Sequence, residues 1–368
     1  MPSATGTLKI NLDAIASNWR LMCELAHQSE VGAVIKANAY GLGSKKIAEI
    51  LFNQGCRNFF VATLAEAIEI KSFLNASPTI YVFGGVMAGD EDVFANENFV
   101  PVIYSIEMLK RWATYSMTRK KYPPCAIKID TGMSRFGMQV TEFLSEFSGL
   151  NEHLNLILLM SHLACADEPA HRMNEEQLDK YNQVLTLVKS KFPDVKASLA
   201  NSSGIFLGKK WHFDLVRPGA ALYGINPQPE LPNPLRSVIH LRLPVLQVKT
   251  MVSDAFVGYS ACAQIKRNGR LAIVAGGYAD GVNRSLGARP MGICCGQKVY
   301  ALGRISMDAT IFEVSSVMST DEEIIESGID VISEEITVDE ISQRNGALGY
   351  EVLTSLGMRY QREYVRDE

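Results

Sequence analysis

The sequence predicts an α/β chain in which an N-terminal (β/α)8 TIM-type barrel is followed by a mostly antiparallel β domain. Three observations predict it. From about residue 31 to 224, eight short apolar runs alternate with amphipathic stretches of helical period. That is the pattern of parallel βα units, and eight is the number that closes a barrel, although a doubly wound open sheet remains its rival. Residues 226–234 then place four of the chain's 14 prolines in nine positions, a density that neither a helix nor a ladder accommodates. Beyond this linker, runs rich in β-branched residues follow one another without helices between them.

Taken in order, a first strand over about 1–11 is expected to pair with the β domain. Asn11-Leu12-Asp13 then caps a helix over 14–26. Barrel strands are expected at 31–37, 59–63, 79–84, 100–104, 126–130, 156–162, 197–201 and 215–223. Thr63 with Glu66 is a capping-box signature for the helix after the second of these, and Gln177-Leu178-Asp179-Lys180-Tyr181 marks a later helix. The barrel is assigned residues 1–230 and the β domain 231–368. In the latter, strands are expected at 240–252, 256–265, 271–276, 292–299 and 309–314, with one helix near 338–356. Internal repeats and low-complexity tracts are absent from the sequence.

Composition narrows the function. The 368 residues are 47% apolar and 21% charged, with a formal net charge of -4 and no run of five like charges. Neither a nucleic acid nor an acidic membrane is therefore expected as a partner. The first 18 residues carry neither an export signal nor an Arg-rich amphipathic pattern. The longest apolar run, near 154–166, is interrupted by Asn155, Ser161 and His162 and is too short to span a bilayer. A cytoplasmic protein is expected. Seven scattered cysteines without a C-x-x-C pair read as reduced thiols, with the adjacent Cys294 and Cys295 as strand residues. Six histidines without an H-x-x-x-H pair give no reason to expect a metal.

Barrel enzymes build their sites from the loops after the strands. Here those ends read Lys36-Ala37-Asn38-Ala39-Tyr40, Asp130-Thr131-Gly132-Met133-Ser134-Arg135, Ser161-His162, Asn201-Ser202-Ser203-Gly204 and Arg217-Pro218-Gly219-Ala220. Singly, each has an ordinary explanation, such as a snorkelling lysine or a core histidine. Together they aim two arginines, a lysine, a histidine and a hydroxyl at one mouth. Lys36 ends an apolar run, and desolvation lowers the pKa of an ammonium toward the neutral amine that Schiff-base chemistry uses. The small residues after the seventh and eighth strands let backbone N–H groups approach a phosphate, and Ser202 adds a hydroxyl donor. A Schiff-base lysine facing a phosphate site points to pyridoxal 5′-phosphate.

These motifs, with Gly277-Tyr278-Ala279-Asp280-Gly281 and Gly303-Arg304-Ile305-Ser306-Met307-Asp308, resemble those of the alanine racemase family. They stand in the family's order, and the resemblance spans essentially the whole chain. It implies pyridoxal 5′-phosphate held by Lys36, alanine as substrate, and supply of D-alanine to the bacterial cell wall. It also implies a homodimer in which each active site is completed by the partner's β domain. Lys36 and Tyr259 would be two opposed acid–base groups, Lys36 acting on D-alanine and Tyr259 on L-alanine. Two are needed because one base on one face mainly returns the proton where it came from. Arg217 would face the pyridine nitrogen and keep it unprotonated, with His162 in the same hydrogen-bonded chain. Tyr40, Asn201, Ser202, Gly219 and Ala220 would contact the cofactor, chiefly its phosphate. Arg135 and the Met307 N–H would meet the substrate carboxylate, with Asp308 beside them in the substrate site, and Lys128 matches a lysine that is carbamylated in some members. Asp167, Tyr278, Arg284 and Arg304 resemble the polar access path. The chain departs from the common pattern at Ser306 in place of cysteine and Leu42 in place of histidine. A third departure is Met358, where some members have a phosphate-contacting tyrosine.

Three alternatives remain at this level. One is a racemase of serine or of broader amino-acid specificity. The second is a decarboxylase of the same plan, which would be expected to place a carboxylate where Arg217 stands. The third is a non-catalytic pyridoxal-phosphate-binding protein, a class that lacks the second domain.

Overall fold

The computed structural model describes residues 5–74, 78–282 and 290–367. Arg284, expected on the access path, lies outside them. The chain forms two compact units, Ile15–Leu235 and a second made of Met1–Ala14 with Arg236–Glu368.

The second unit contains β1 (Thr7–Asn11), from which the chain enters the helix Leu12–Leu25. The Asn11 carboxamide oxygen accepts from the Ala14 N–H at 2.9 Å and satisfies one of the amides a helix start leaves open.

In the first unit the strands are β2 (Glu30–Val31), β3 (Ala33–Val34), β4 (Asn58–Val61), β5 (Thr79–Val82), β6 (Val100–Ile103), β7 (Pro124–Asp130), β8 (Met138–Gln139), β9 (Asn155–Met160), β10 (Lys196–Ser198) and β11 (Leu215–Val216). Parallel pairing runs in the order β3-β4-β5-β6-β7-β9-β10, with β8 a short branch on β7. β11 closes the ring. On one side the Asp214 and Arg217 N–H groups each donate at 3.0 Å, to Ala197 and Ala200 oxygens. On the other, Gly32 N–H donates to Val216 O at 3.0 Å and Val34 N–H to Pro218 O at 2.9 Å, continuing the parallel β2–β11 pair. β2 and β3 are thus one strand interrupted at Gly32, where a Cβ would lie 2.8 Å from the Phe60 ring. The result is the closed eight-stranded α/β barrel.

Its interior is a packed cluster that includes Val34, Phe60, Tyr81, Val102, Leu158 and Leu215. Phe60 stacks on Tyr81 at 4.6 Å between centroids and on Phe83 at 5.4 Å. Burying each such ring contributes roughly 1.5–3 kcal/mol. The Thr63–Glu66 capping box forms as expected at the start of the helix Leu64–Phe73. Several barrel strands are shorter than expected, 31–37, 197–201 and 215–223 among them. The run 31–37 keeps its pairing only as far as the Ile35 N–H, and 215–223 only as far as the Pro218 carbonyl, Pro218 having no N–H to donate. Ala221, Leu222 and Tyr223 are buried in a 3₁₀ turn instead of a strand.

The second unit continues with β12 (Ile239–Leu243), β13 (Val245–Thr250), β14 (Ala255–Val257), β15 (Ala263–Ile265), β16 (Arg270–Ala275), β17 (Met291–Cys294), β18 (Gln297–Ala301), β19 (Ala309–Glu313), β20 (Ile329–Ile332) and β21 (Gln361–Val365). Nine strands form one sheet in the order β13-β16-β19-β18-β17-β20-β12-β1-β21. Every pair in it is antiparallel except β1–β21. The expected strand 240–252 is two strands with different partners, broken at Pro244. The expected strand 292–299 is a β17–β18 hairpin turning at Cys295, whose φ is 47°. Likewise 256–265 is the β14–β15 hairpin, so Tyr259 sits in its turn and not on a strand. The single helix expected at 338–356 is two, Val338–Asn345 and Gly349–Thr354, separated at Gly346 with φ 60°. The helix Asp321–Ser327 and strands β20 and β21 add to the expected set. Among the described residues no helix is long and apolar enough to cross a membrane.

Candidate active site

Lys36 leaves the first barrel strand at the carboxyl mouth and opens an unusual turn. Ala37, Asn38, Ala39 and Tyr40 have φ of 53°, 53°, 52° and 55°. An L-residue in this left-handed region costs about 1–2 kcal/mol, so four in succession need support from their surroundings. Ala39 N–H donates to Ile35 O at 2.9 Å and Gly41 N–H to Ala37 O at 2.8 Å. The Asn38 carboxamide oxygen accepts from Ser44 N–H at 2.8 Å, and Glu66 Oε1 accepts from Ala37 N–H at 2.7 Å. Below the turn, the Tyr223 hydroxyl donates to Val34 O at 3.0 Å. The half-buried Lys36 amine lies 5.9 Å from the Phe83 ring centroid. Burial lowers its pKa, the Arg135 charge lowers it further, and Glu66 opposes both.

Three more cations converge on the same mouth. Lys128, on β7, is 8% exposed. Burial, followed by the charges of Arg217, Arg135 and Lys36, brings its amine down to about 8, with Asp130 opposing. The Asp130 carboxylate also accepts from Gly132 and Ser134 N–H at 2.9 and 3.1 Å, curling the loop that presents the exposed Arg135. Arg217 is 2% exposed and donates to neutral acceptors: the Ser198 hydroxyl, Ser161 O at 2.6 Å and Leu199 O at 3.3 Å. Burial pulls its pKa to about 10, which leaves it cationic at neutral pH. His162 is held well below the usual imidazole range, by burial first and then by Arg217, Lys128, Arg135 and Lys36. Its carbonyl accepts from the Gln177 carboxamide at 2.9 Å, which also reaches Thr131 Oγ1 at 3.1 Å. Among the described residues, none of the four cations forms an ion pair with a carboxylate. A cationic mouth of this kind attracts an anionic guest.

Beside it lies a small cradle. Ser202 Oγ accepts from Gly219 N–H at 2.9 Å and Ala221 N–H at 3.1 Å, so its proton is left to donate outward. The Asn201 side chain caps the short helix that carries Ser202, accepting from Gly204 N–H at 2.9 Å. A Cβ on Gly219 would lie 2.6 Å from the Tyr40 hydroxyl oxygen and 3.2 Å from Val34 Cβ. Tyr40, 4.6 Å from the Tyr223 ring centroid, therefore needs glycine here. The Ser202 and Tyr40 hydroxyls beside the small residues Gly219 and Ala220 fit a phosphate, and with the desolvated Lys36 amine they fit pyridoxal 5′-phosphate. Asp167 is exposed in the loop after β9, where its charge is felt by Cys165.

In the second unit, the remaining candidates gather at two loops and the β14–β15 turn. Tyr278 N–H donates to Ser306 O and Ala279 N–H to Met307 O, both at 3.1 Å. Arg304 Nη1 donates to Ser260 Oγ at 2.9 Å, tying the Tyr259 turn to the same loop. Gly277 belongs there because a Cβ would lie 2.2 Å from Ser306 O. Arg359 clamps the arrangement, donating to both oxygens of the buried Asp280 and to Asp308, each at 2.7 Å. Met358, its neighbour, is 78% exposed. Sequence reasoning missed Arg359, Phe83, Tyr223 and the bond from Ala37 to Glu66. Only Glu66 carried a signal, its place in the capping box.

Sequence patterns of the alanine racemase N-terminal and C-terminal domains match residues 10–227 and 238–364. An alanine racemase of Rhodospirillum rubrum is 40% identical over 367 residues, 98% of this chain and 96% of its own. A catabolic alanine racemase of Agrobacterium fabrum is 38% identical over 367 residues, 99% of this chain and 93% of its own. The crystal structure of alanine racemase from Bartonella henselae with covalently bound pyridoxal phosphate matches with a TM-score of 0.92 at 34% identity, covering 98% of this chain and all of that one. With both domain patterns in sequence and a relative at 40% identity along nearly its whole length, the chain belongs to the alanine racemase family.

Proposed function

We propose that this protein interconverts L-alanine and D-alanine with pyridoxal 5′-phosphate held by Lys36. The observation that carries the reading is the desolvated Lys36 amine in a mouth with three further cations and the Ser202–Gly219 cradle. When bound, the cofactor supplies an electron-withdrawing ring that acidifies the Cα hydrogen of an attached amino acid. Tyr40, Asn201, Ser202, Gly219 and Ala220 would hold its phosphate end. Arg217, fixed by neutral acceptors and still cationic, would keep the ring nitrogen unprotonated and moderate that withdrawal. Moderate withdrawal favours return of the proton to Cα over side reactions. His162, with its basicity suppressed, would act beside Arg217 as a neutral hydrogen-bonding group.

Lys36 would move the proton on one face of Cα and Tyr259 on the other, since exchange on a single face restores the starting enantiomer. Tyr259, with the Met307 N–H and Asp308, would come from a second copy of the chain, making a homodimer with shared sites. Arg135 would orient the substrate carboxylate. A Lys128 pKa of about 8 leaves a useful fraction of neutral amine, the form that adds carbon dioxide, so a carbamate there would hold Arg135. Asp167, with Tyr278 and Arg304 of the second copy, would line the access path. All seven cysteines are free, which supports a reducing, cytoplasmic setting where D-alanine is made for the cell wall. A catabolic role is the second reading, favoured by the name of the Agrobacterium relative.

Incubating the cofactor-loaded protein with a panel of L-amino acids and following loss of optical rotation tests the reading. Racemisation confined largely to alanine supports it. Comparable rates on serine or lysine keep the mechanism and change the substrate, while no turnover with cofactor bound favours a non-catalytic binding protein.

A further inference from the structure

Glu66 does more than cap its helix. Its Oε2 accepts from Thr63 N–H at 3.3 Å, the half of the capping box read from the sequence, and also from Ala62 N–H at 2.7 Å. Its Oε1 accepts from Ala37 N–H at 2.7 Å, across 29 residues of chain and next to Lys36. A capping glutamate ordinarily serves only its own helix start. This one bridges the ends of the first two barrel strands and grips the first amide of the left-handed turn. A carboxylate suits the position because both oxygens accept. A carboxamide has one acceptor and would turn its NH2 toward a donor. The Glu66 charge also opposes the effect of burial and Arg135 on the Lys36 amine.

We infer that Glu66 is a positioning residue for Lys36, holding the strained turn 37–40 that aims the amine into the mouth while touching no reacting atom. The inference rests on the reading of Lys36 as the cofactor-holding lysine. Two measurements on the full-length protein test it: titration of the cofactor-free form with pyridoxal 5′-phosphate, and brief acetylation with acetic anhydride from about pH 6 to 11, with Lys36 followed by peptide mass spectrometry. Glu66→Gln is expected to weaken cofactor binding about tenfold, the scale of one lost charge-assisted hydrogen bond, and to move the Lys36 labelling midpoint to lower pH. Thr63→Val, which removes the other half of the same cap, should change neither. Adding Ala37→Gly to Glu66→Gln should recover most of the affinity, because glycine adopts the left-handed conformation freely, while the midpoint stays displaced. The proposal is overturned if Glu66→Gln and Thr63→Val behave alike or if the midpoint does not move. Should Glu66→Gln not fold, Glu66→Asp carries the test. It keeps the charge but is a methylene too short, so affinity should fall with the midpoint unmoved, and full affinity overturns the proposal. Wild-type protein that binds no cofactor at Lys36 would overturn the functional reading instead, and the labelling midpoint would still report on Glu66.

Discussion

The barrel mouth and the loop cluster of the β unit organise polar groups in opposite ways. In the mouth, Arg217 and Lys128 are buried and Lys36 half-buried, and burial is the first cause of each one's lowered pKa. Arg217 is fixed by main-chain carbonyls and a hydroxyl, and Lys36 is carried by a strained turn. In the β unit, Tyr259 is 62% and Met307 52% exposed, and order comes from main-chain register and the Arg359 clamp. The first region is finished within one unit, its side chains tuned by desolvation. The second has ordered backbone, but its side chains face solvent. That difference teaches where preorganisation resides, and it explains why we propose a second copy of the chain as the cover.

Four changes break or sharpen the contrast. Lys36→Ala should lower racemisation at least about 10⁴-fold and abolish the Schiff-base absorbance near roughly 420 nm. An unchanged spectrum would remove the mouth from its role. Tyr259→Ala should cost about 10²–10⁴-fold, and isotope exchange at Cα should be impaired far more for L-alanine than for D-alanine. Equal losses would count against two opposed groups drawn from two regions.

Lys128→Met tests the cost of burying charge. The folded amine titrates near 8 and the unfolded one at 10.5, so between these values the unfolded chain binds the extra proton. Stability therefore rises with pH through that window, and below it the folded state carries the full cost, about 3 kcal/mol at most. In cofactor-free protein the substitution should raise stability by about 2 kcal/mol at pH 7 and by nothing above about pH 10.5, measured by urea unfolding. An equal gain at both pH values would mean that packing, not charge, is responsible. Gly219→Ala is the mildest. Its added Cβ would meet the Tyr40 hydroxyl oxygen at 2.6 Å, and cofactor affinity should fall about tenfold by titration.

Much of this was legible in the sequence because the relevant signals are local. Lys36, Ser202 and Arg217 stand where an apolar run gives way to small or polar residues, and Thr63–Glu66 announces its own helix. What stayed hidden depended on distant partners or on backbone without a propensity signal. The residues Ala-Asn-Ala-Tyr do not advertise a left-handed turn, since it is imposed by Glu66, Asn38 and the strand beneath. Tyr259 read as a strand residue because tyrosine itself favours strands and the short arms Ala255–Val257 and Ala263–Ile265 flank it without a clear turn signal. The Arg359–Asp280 contact joins residues 79 apart, which no periodicity reveals.

β1 lies between β12 and β21, with Thr7 opposite both Arg242 and Gln361. On the ribosome, at about 5–20 residues per second, β1 waits roughly 20–70 seconds for its last neighbour to be made. Every strand of the barrel is translated in the meantime. Vectorial folding therefore completes the barrel first and seals the sheet last. Until β21 is made, β1 is itself the edge of that sheet, with the unpaired groups that recruit other chains into aggregates.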